Sequence, residues 1–127
     1  MKTREDIESY LLKMGANYDD LGGNIWRLRD EEVENLLVTL AGPIVVFRLK
    51  IMDIPATRRE ALYEILLRLN TTELFHCAFG MEGQAIVLTG ALALENLDYN
   101  EFQGVIEEMG MAVSKQYPTL SKFRAVA

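Results

Sequence analysis

Reactive side chains are scarce in this chain. Its 127 residues include one histidine, His76, and one cysteine, Cys77. A single cysteine excludes an intramolecular disulfide. Long apolar runs are missing as well, because Arg48, Lys50 and Asp53 interrupt the best candidate before it reaches bilayer length. Met1 to Lys13 mixes acids with bases and lacks the apolar run of a signal peptide. Cytoplasmic residence, away from any membrane, is the default expectation. Neither an internal repeat nor a dividing linker is evident, so one domain over residues 1–127 is expected.

Cations are absent over a long stretch. From Leu69 to Ser114 there is no Lys or Arg, while Glu73, Glu82, Glu95, Asp98, Glu101, Glu107 and Glu108 all fall there. That segment carries −7 of a total formal charge of −6. Such a balance argues against nucleic acid, whose phosphates must be neutralised by Lys and Arg. Arg27, Arg29, Arg48 and Lys50 could share an open sheet face. Only one aromatic, Trp26, lies in the strand of Arg27 and Arg29, and it points the other way.

The residues that could carry catalysis do not assemble. His76 and Cys77 are adjacent in a strand-like segment, so their side chains take opposite faces and share no site. Cys77 reads as a small core residue flanked by Phe75 and Phe79. Glu107 and Glu108 diverge by about 100° on a helix, unlike two carboxylates set across a cleft. Asp19-Asp20-Leu21-Gly22-Gly23 has a faint calcium-loop flavour but lacks the spaced ligands and terminal Glu, and reads as a structural loop. No Gly-rich strand–helix junction is present. No catalytic, cofactor-binding or metal-binding residue is therefore assigned, and an enzyme is not expected.

What is present is an ordered series of structural signals. Half the residues are hydrophobic and a quarter are charged, as in an ordinary globular protein. Thr3 caps a first helix, with Ile7, Tyr10, Leu11 and Met14 on one face and Gly15 at its end. Asn24–Arg29, Val33–Leu40 and Ile44–Met52 alternate as three strands of a meander. Thr57-Arg58-Arg59-Glu60 forms a capping box for helix two, striped by Leu62, Ile65, Leu66 and Leu69, with Asn70 able to end it. Leu74–Phe79 and Gln84–Ala93 are two more strands around a Gly80–Gly83 hairpin loop. Asp98 starts helix three, striped by Phe102, Val105, Ile106, Met109 and Val113. Pro118 is expected to end it and leave 118–127 as a frayed tail. The order α-β-β-β-α-β-β-α, with helices on one face of a twisted antiparallel sheet, makes this an α+β protein.

Apolar surface exceeds what that layout needs. Tyr63 and Leu67 widen the apolar arc of helix two to about 200°. The last strand is apolar on both faces, with Ala85, Val87 and Ala91 opposite Ile86, Leu88 and Leu92. Both faces could be buried within the monomer, or one of them is left for a dimer or partner interface. A homodimer is expected through Tyr63 and Leu67, or through the Ala85–Val87 face. Tyr10, Met14 and Ile25 are further candidates for partner contact, though each could be core.

Leu66-Leu67-Arg68-Leu69-Asn70 leads into Phe79-Gly80-Met81-Glu82-Gly83. An uncharged strand then runs into Leu92-Ala93-Leu94-Glu95-Asn96-Leu97-Asp98-Tyr99, and Gln116-Tyr117-Pro118 follows. This pattern resembles the type III secretion chaperone-like superfamily, in particular its YbjN-like branch of bacterial sensory-transduction regulators. The likeness spans most of the chain, from Ile7 to Tyr117. It implies helices packed on one side of a twisted sheet, in small, acidic, often dimeric proteins that bind protein segments without hydrolysing nucleotide. It transfers no individual binding residue.

The expected function is a non-enzymatic, chaperone-like module that binds a partner protein or a secreted client segment. A regulator that binds a folded partner is the alternative. An enzyme whose site leaves no trace in the sequence is a second one.

Overall fold

A computed structural model describes residues 1–30 and 32–124 of the chain. Its elements are α1 (Arg4–Met14), β1 (Asn17–Gly22), β2 (Ile25–Arg29), β3 (Leu36–Ala41), β4 (Ile44–Asp53), α2 (Arg59–Thr72), β5 (Cys77–Glu82), β6 (Ala85–Ala93) and α3 (Tyr99–Leu120). A short 3-10 turn, Ser121–Phe123, follows α3. All six strands join one antiparallel sheet in the order β1-β2-β3-β4-β6-β5.

The α+β class, the helix order and the antiparallel sheet are those expected, with one strand added. Asn17–Gly22, read from sequence as loop, is the edge strand β1. Its Asn-Tyr-Asp-Asp-Leu-Gly run has no hydrophobic alternation. Pairing to β2 holds it instead, with Tyr18 opposite Leu28 and Asp20 opposite Trp26.

One face of the sheet supplies the core. Trp26, Val38 and Phe47 lie in one row across β2, β3 and β4, and the row continues through Gly90 to Cys77. The three helices cover this face, sending in Ile7 and Leu11, Leu62 and Leu66, and Phe102, Val105 and Met109. Phe47 and Phe102 meet with ring centroids 5.4 Å apart. Gly90 lets α3 approach closely: a Cβ there would stand 3.2 Å from the His76 carbonyl and 3.4 Å from Val105. Burying a large apolar side chain contributes about 1.5–3 kcal/mol, so this layer dominates stability.

Two helix starts form as the sequence implies. Thr3 and Asp98 each cap a helix in a reciprocal box, with Asp6 and Glu101 respectively. The Thr57 box does not form. Arg58 takes the N-cap position in the left-handed region (φ 60°), and its guanidinium lies 4.5 Å from the Phe123 ring centroid. Asn70 does not end α2, which continues to Thr72. Strand β5 begins at Cys77 rather than Leu74, and Gly80–Glu82 pair within it, so the hairpin turn is Gly83-Gln84.

Pro118 lies inside α3 rather than at its end. The chain beyond it is anchored: Leu120 and Phe123 are both buried in the core. The expected frayed tail thus does not begin at 118, and its last residues, 125–127, lie outside the described residues.

Candidate functional site and its binding surfaces

None of the described helices covers the opposite face of the sheet. Alternation places Ile25, Arg27 and Arg29 of β2 on this face, because Trp26 and Leu28 turn into the core. Register then gives the rows Asp19–Arg27–Leu37–Arg48–Thr89–Ala78 and Ile25–Thr39–Val46–Ala91. Ile25, Leu37, Thr39 and Val46 are half-buried by one another and by flanking stems. Val87, between Lys50 and Gly80, is only 3% exposed, yet it stands apart from the contiguous core cluster. Of the two faces of β6, Ile86 and Leu88 are core, while Ala85, Val87 and Ala91 belong to the uncovered one.

The four cations on this face are all matched by carboxylates. Asp19 accepts from Arg27 at 2.9 Å and from Arg29 at 2.8 Å. Glu82 takes both arms of Arg48, and Lys50 meets Asp53 at 2.8 Å. The Arg27 hydrogen bond and the two nearby guanidiniums hold the Asp19 carboxyl below its ordinary range, and the Arg48 hydrogen bond does the same for Glu82. The patch that looked basic in sequence is thus a set of ion pairs framing an apolar strip. It offers phosphate no free row of charge. Asp19 and Asp20 are likewise committed to arginines, Asp20 to Arg4, and no group of acids, His or Cys among the described residues is arranged to hold a metal.

The two sheet edges differ. On β5, Phe79 is bonded through both backbone groups to the side chain of Asn70. On β1, no backbone hydrogen bond among the described residues leads outward from the strand. One edge is thus blocked at its middle and the other is open.

Helix α2 presents the second apolar surface. Leu67 is 67% exposed and Tyr63 half-buried, and together with Glu60, Glu64, Arg68 and Thr71 they line a shallow depression. Tyr10 and Met14 sit elsewhere. The Tyr10 hydroxyl donates to the Leu97 carbonyl at 3.3 Å, and its ring packs 5.5 Å from Phe102 and 5.7 Å from Tyr99. Both residues pack against the core from α1, so they do not join Ile25 or Leu67 in one surface.

His76 and Cys77 do point apart. Cys77 is buried, and burial pushes its thiol up to about 12, away from the thiolate form. Phe75 does not flank it in the core; it is 88% exposed, just before the strand. His76 is exposed, with Nδ1 3.1 Å from Glu108 of α3. Leu37, Val46 and the exposed Phe75 carry no distinctive signal in the sequence. Leu37 and Val46 were concealed within strands apolar on both faces; only the strand register separates their two sides.

The CesT_Tir_1 family model matches residues 1–125. The chain belongs to the CesT_Tir_1 family, a type III secretion chaperone family. Membership places it among chaperone-like, protein-binding proteins. Solved structures carry the same fold. YbjN from E. coli superposes with a TM-score of 0.71 at 13% identity, covering 94% of each chain. A chain of the heterodimeric ExoU-SpcU complex, from the type III secretion system of Pseudomonas aeruginosa, gives 0.73 at 15% identity. That match covers 88% of this CesT_Tir_1 member and 95% of the other chain. No curated protein sequence matches it. No helix among its described residues is long and apolar enough to cross a membrane.

Proposed function

We propose that this CesT_Tir_1 protein is a single-domain cytoplasmic chaperone that holds an extended segment of a client protein against its uncovered sheet face. The observation that carries the reading is the half-buried strip of Ile25, Leu37 and Val46 beside the unpaired β1 edge. An extended segment laid across this face can cover the strip with alternate side chains, and the β1 edge offers backbone pairing to a neighbouring stretch of the same client. The ExoU-SpcU complex, a heterodimer from a secretion system, supports a protein as the ligand. The protein acts by binding, without catalysis or cofactor. It forms a homodimer in which Tyr63 and Leu67 of α2 meet their counterparts, away from the sheet face.

The test is capture of partners from the source cell, followed by calorimetry with peptides from the captured protein. A client whose N-terminal segment is held unfolded, and whose binding is lost in Val46→Glu, supports the chaperone. A folded partner would favour a regulator. Turnover of a small substrate, lost on changing His76 or Asp20, would establish an enzyme. Trp26 is fully buried on the core face and is therefore a poor optical reporter of contact.

A further inference from the structure

We infer that the groove between the α2–β5 link and α3 is a second docking site, for a segment of the client that alternates apolar residues with Lys or Arg. The inference rests on the protein-binding reading above but concerns a different surface.

The groove encloses about 340 Å³. Leu69, Leu74, Phe79 and Ala112 form its walls, and Phe75 and Met111 stand at its lip. Those two are 88% and 67% exposed, large apolar side chains left in water at the same opening. Phe75 is held there by α3. Glu108 accepts the Phe75 amide at 2.7 Å and the His76 amide at 3.1 Å, so one carboxylate fixes the backbone of the turn. Lys115 of α3 bonds Glu73 at 2.7 Å and ties down the end of α2. The backbone that carries the aromatic ring is thus held before any ligand arrives, which lowers the ordering cost of binding.

Charge selects the occupant. The groove's carboxylates are Glu73, Glu107 and Glu108, and its one cation, Lys115, is already engaged by Glu73. Glu107 is exposed and has no ion-pair partner among the described residues. An apolar side chain entering between Phe75 and Met111 would therefore place its neighbours beside uncompensated negative charge. Lys or Arg is favoured there, and Asp or Glu repelled. The open sheet face, with its cations all paired, exerts no such selection.

The probe is a synthetic amphipathic peptide of Leu and Lys, measured by calorimetry beside its Leu–Glu counterpart. We expect the Leu–Lys peptide to bind, with affinity falling as salt rises. Phe75→Ala should weaken it about tenfold, the loss of one buried aromatic contact. Glu107→Lys should weaken it and flatten the salt dependence. Both positions are exposed, so the variants should fold, and circular dichroism checks this. Failure of the Leu–Lys peptide to bind, equal binding of the Leu–Glu peptide, or wild-type affinity in Phe75→Ala would each overturn the inference. Binding that answers only to Val46→Glu would overturn it too, while leaving the sheet-face reading intact. A change of sedimentation in Phe75→Ala would make the groove a contact between copies, and would also refute it.

Discussion

The side-chain amide of Asn70 closes on both backbone groups of Phe79. Its Oδ1 accepts the Phe79 N–H at 2.7 Å, and its Nδ2 donates to the Phe79 carbonyl at 3.1 Å. A residue of α2 thus occupies the place a neighbouring strand would take. Asn70→Leu keeps the branched shape and removes both bonds to the buried Phe79. It should destabilise the fold by about 1–3 kcal/mol. Urea unfolding checks this, and an unchanged midpoint would refute it.

Leu67→Glu should move the protein from dimer to monomer in sedimentation velocity. Its stability should change by no more than about 0.5 kcal/mol, as for an exposed position without a structural partner. A wild-type monomer at high micromolar concentration would remove the basis of this expectation.

Glu108 should govern part of the acid limb of stability. Its side chain is 14% exposed. Burial raises its carboxyl, but the Phe75 and His76 amides and the His76 ring outweigh that and leave it below its ordinary value. A carboxyl depressed in the folded state adds stability that is fully present above its unfolded pKa. That stability is lost as pH falls through the folded pKa. Glu108→Gln should therefore lower stability at neutral pH and narrow the gap to wild type under acid. A constant gap from neutral to acid pH would contradict this.

Two glycines should respond in opposite directions. Gly104, within α3, has nothing within 4 Å of a built Cβ, so Gly104→Ala should stabilise by about 0.5–1 kcal/mol through helix propensity. Gly90 has the His76 carbonyl at 3.2 Å and Cys77 Sγ at 3.3 Å, so Gly90→Ala should destabilise by about 1–3 kcal/mol through overpacking. Thermal unfolding of the pair reads both, and the same sign for both would contradict the packing described.

The helical stripes and two of the three caps were legible because their signals are local. Thr3 with Asp6, and Asp98 with Glu101, sit within one turn of each other. At the Thr57 box, Arg58 takes the N-cap position in the left-handed region and meets Phe123 from far along the chain, a contact of which local spacing carries no trace. Pro118 failed as a stop for a related reason: Leu120 and Phe123 bury beyond it and hold the last turn. Strand β1 was illegible because an edge strand fixed by Asp19 and its arginines has no need of apolar alternation. At the candidate site, Leu67 and the Val87 face were visible as apolar excess. The strip of Ile25, Leu37 and Val46 emerges only once register decides which side of each strand faces the helices.

The unequal edges give the sheet a preferred side for pairing. Asn70 blocks β5 at Phe79, while β1 has no outward backbone bond among the described residues. Two copies meeting through β1 would each cover the edge that pairs most readily, and further strand-to-strand growth would have to pass the Asn70 block on β5. A client strand on β1 excludes that pairing. Client capture and edge-to-edge self-association are then competitors for one seat, and raising the concentration of either should displace the other.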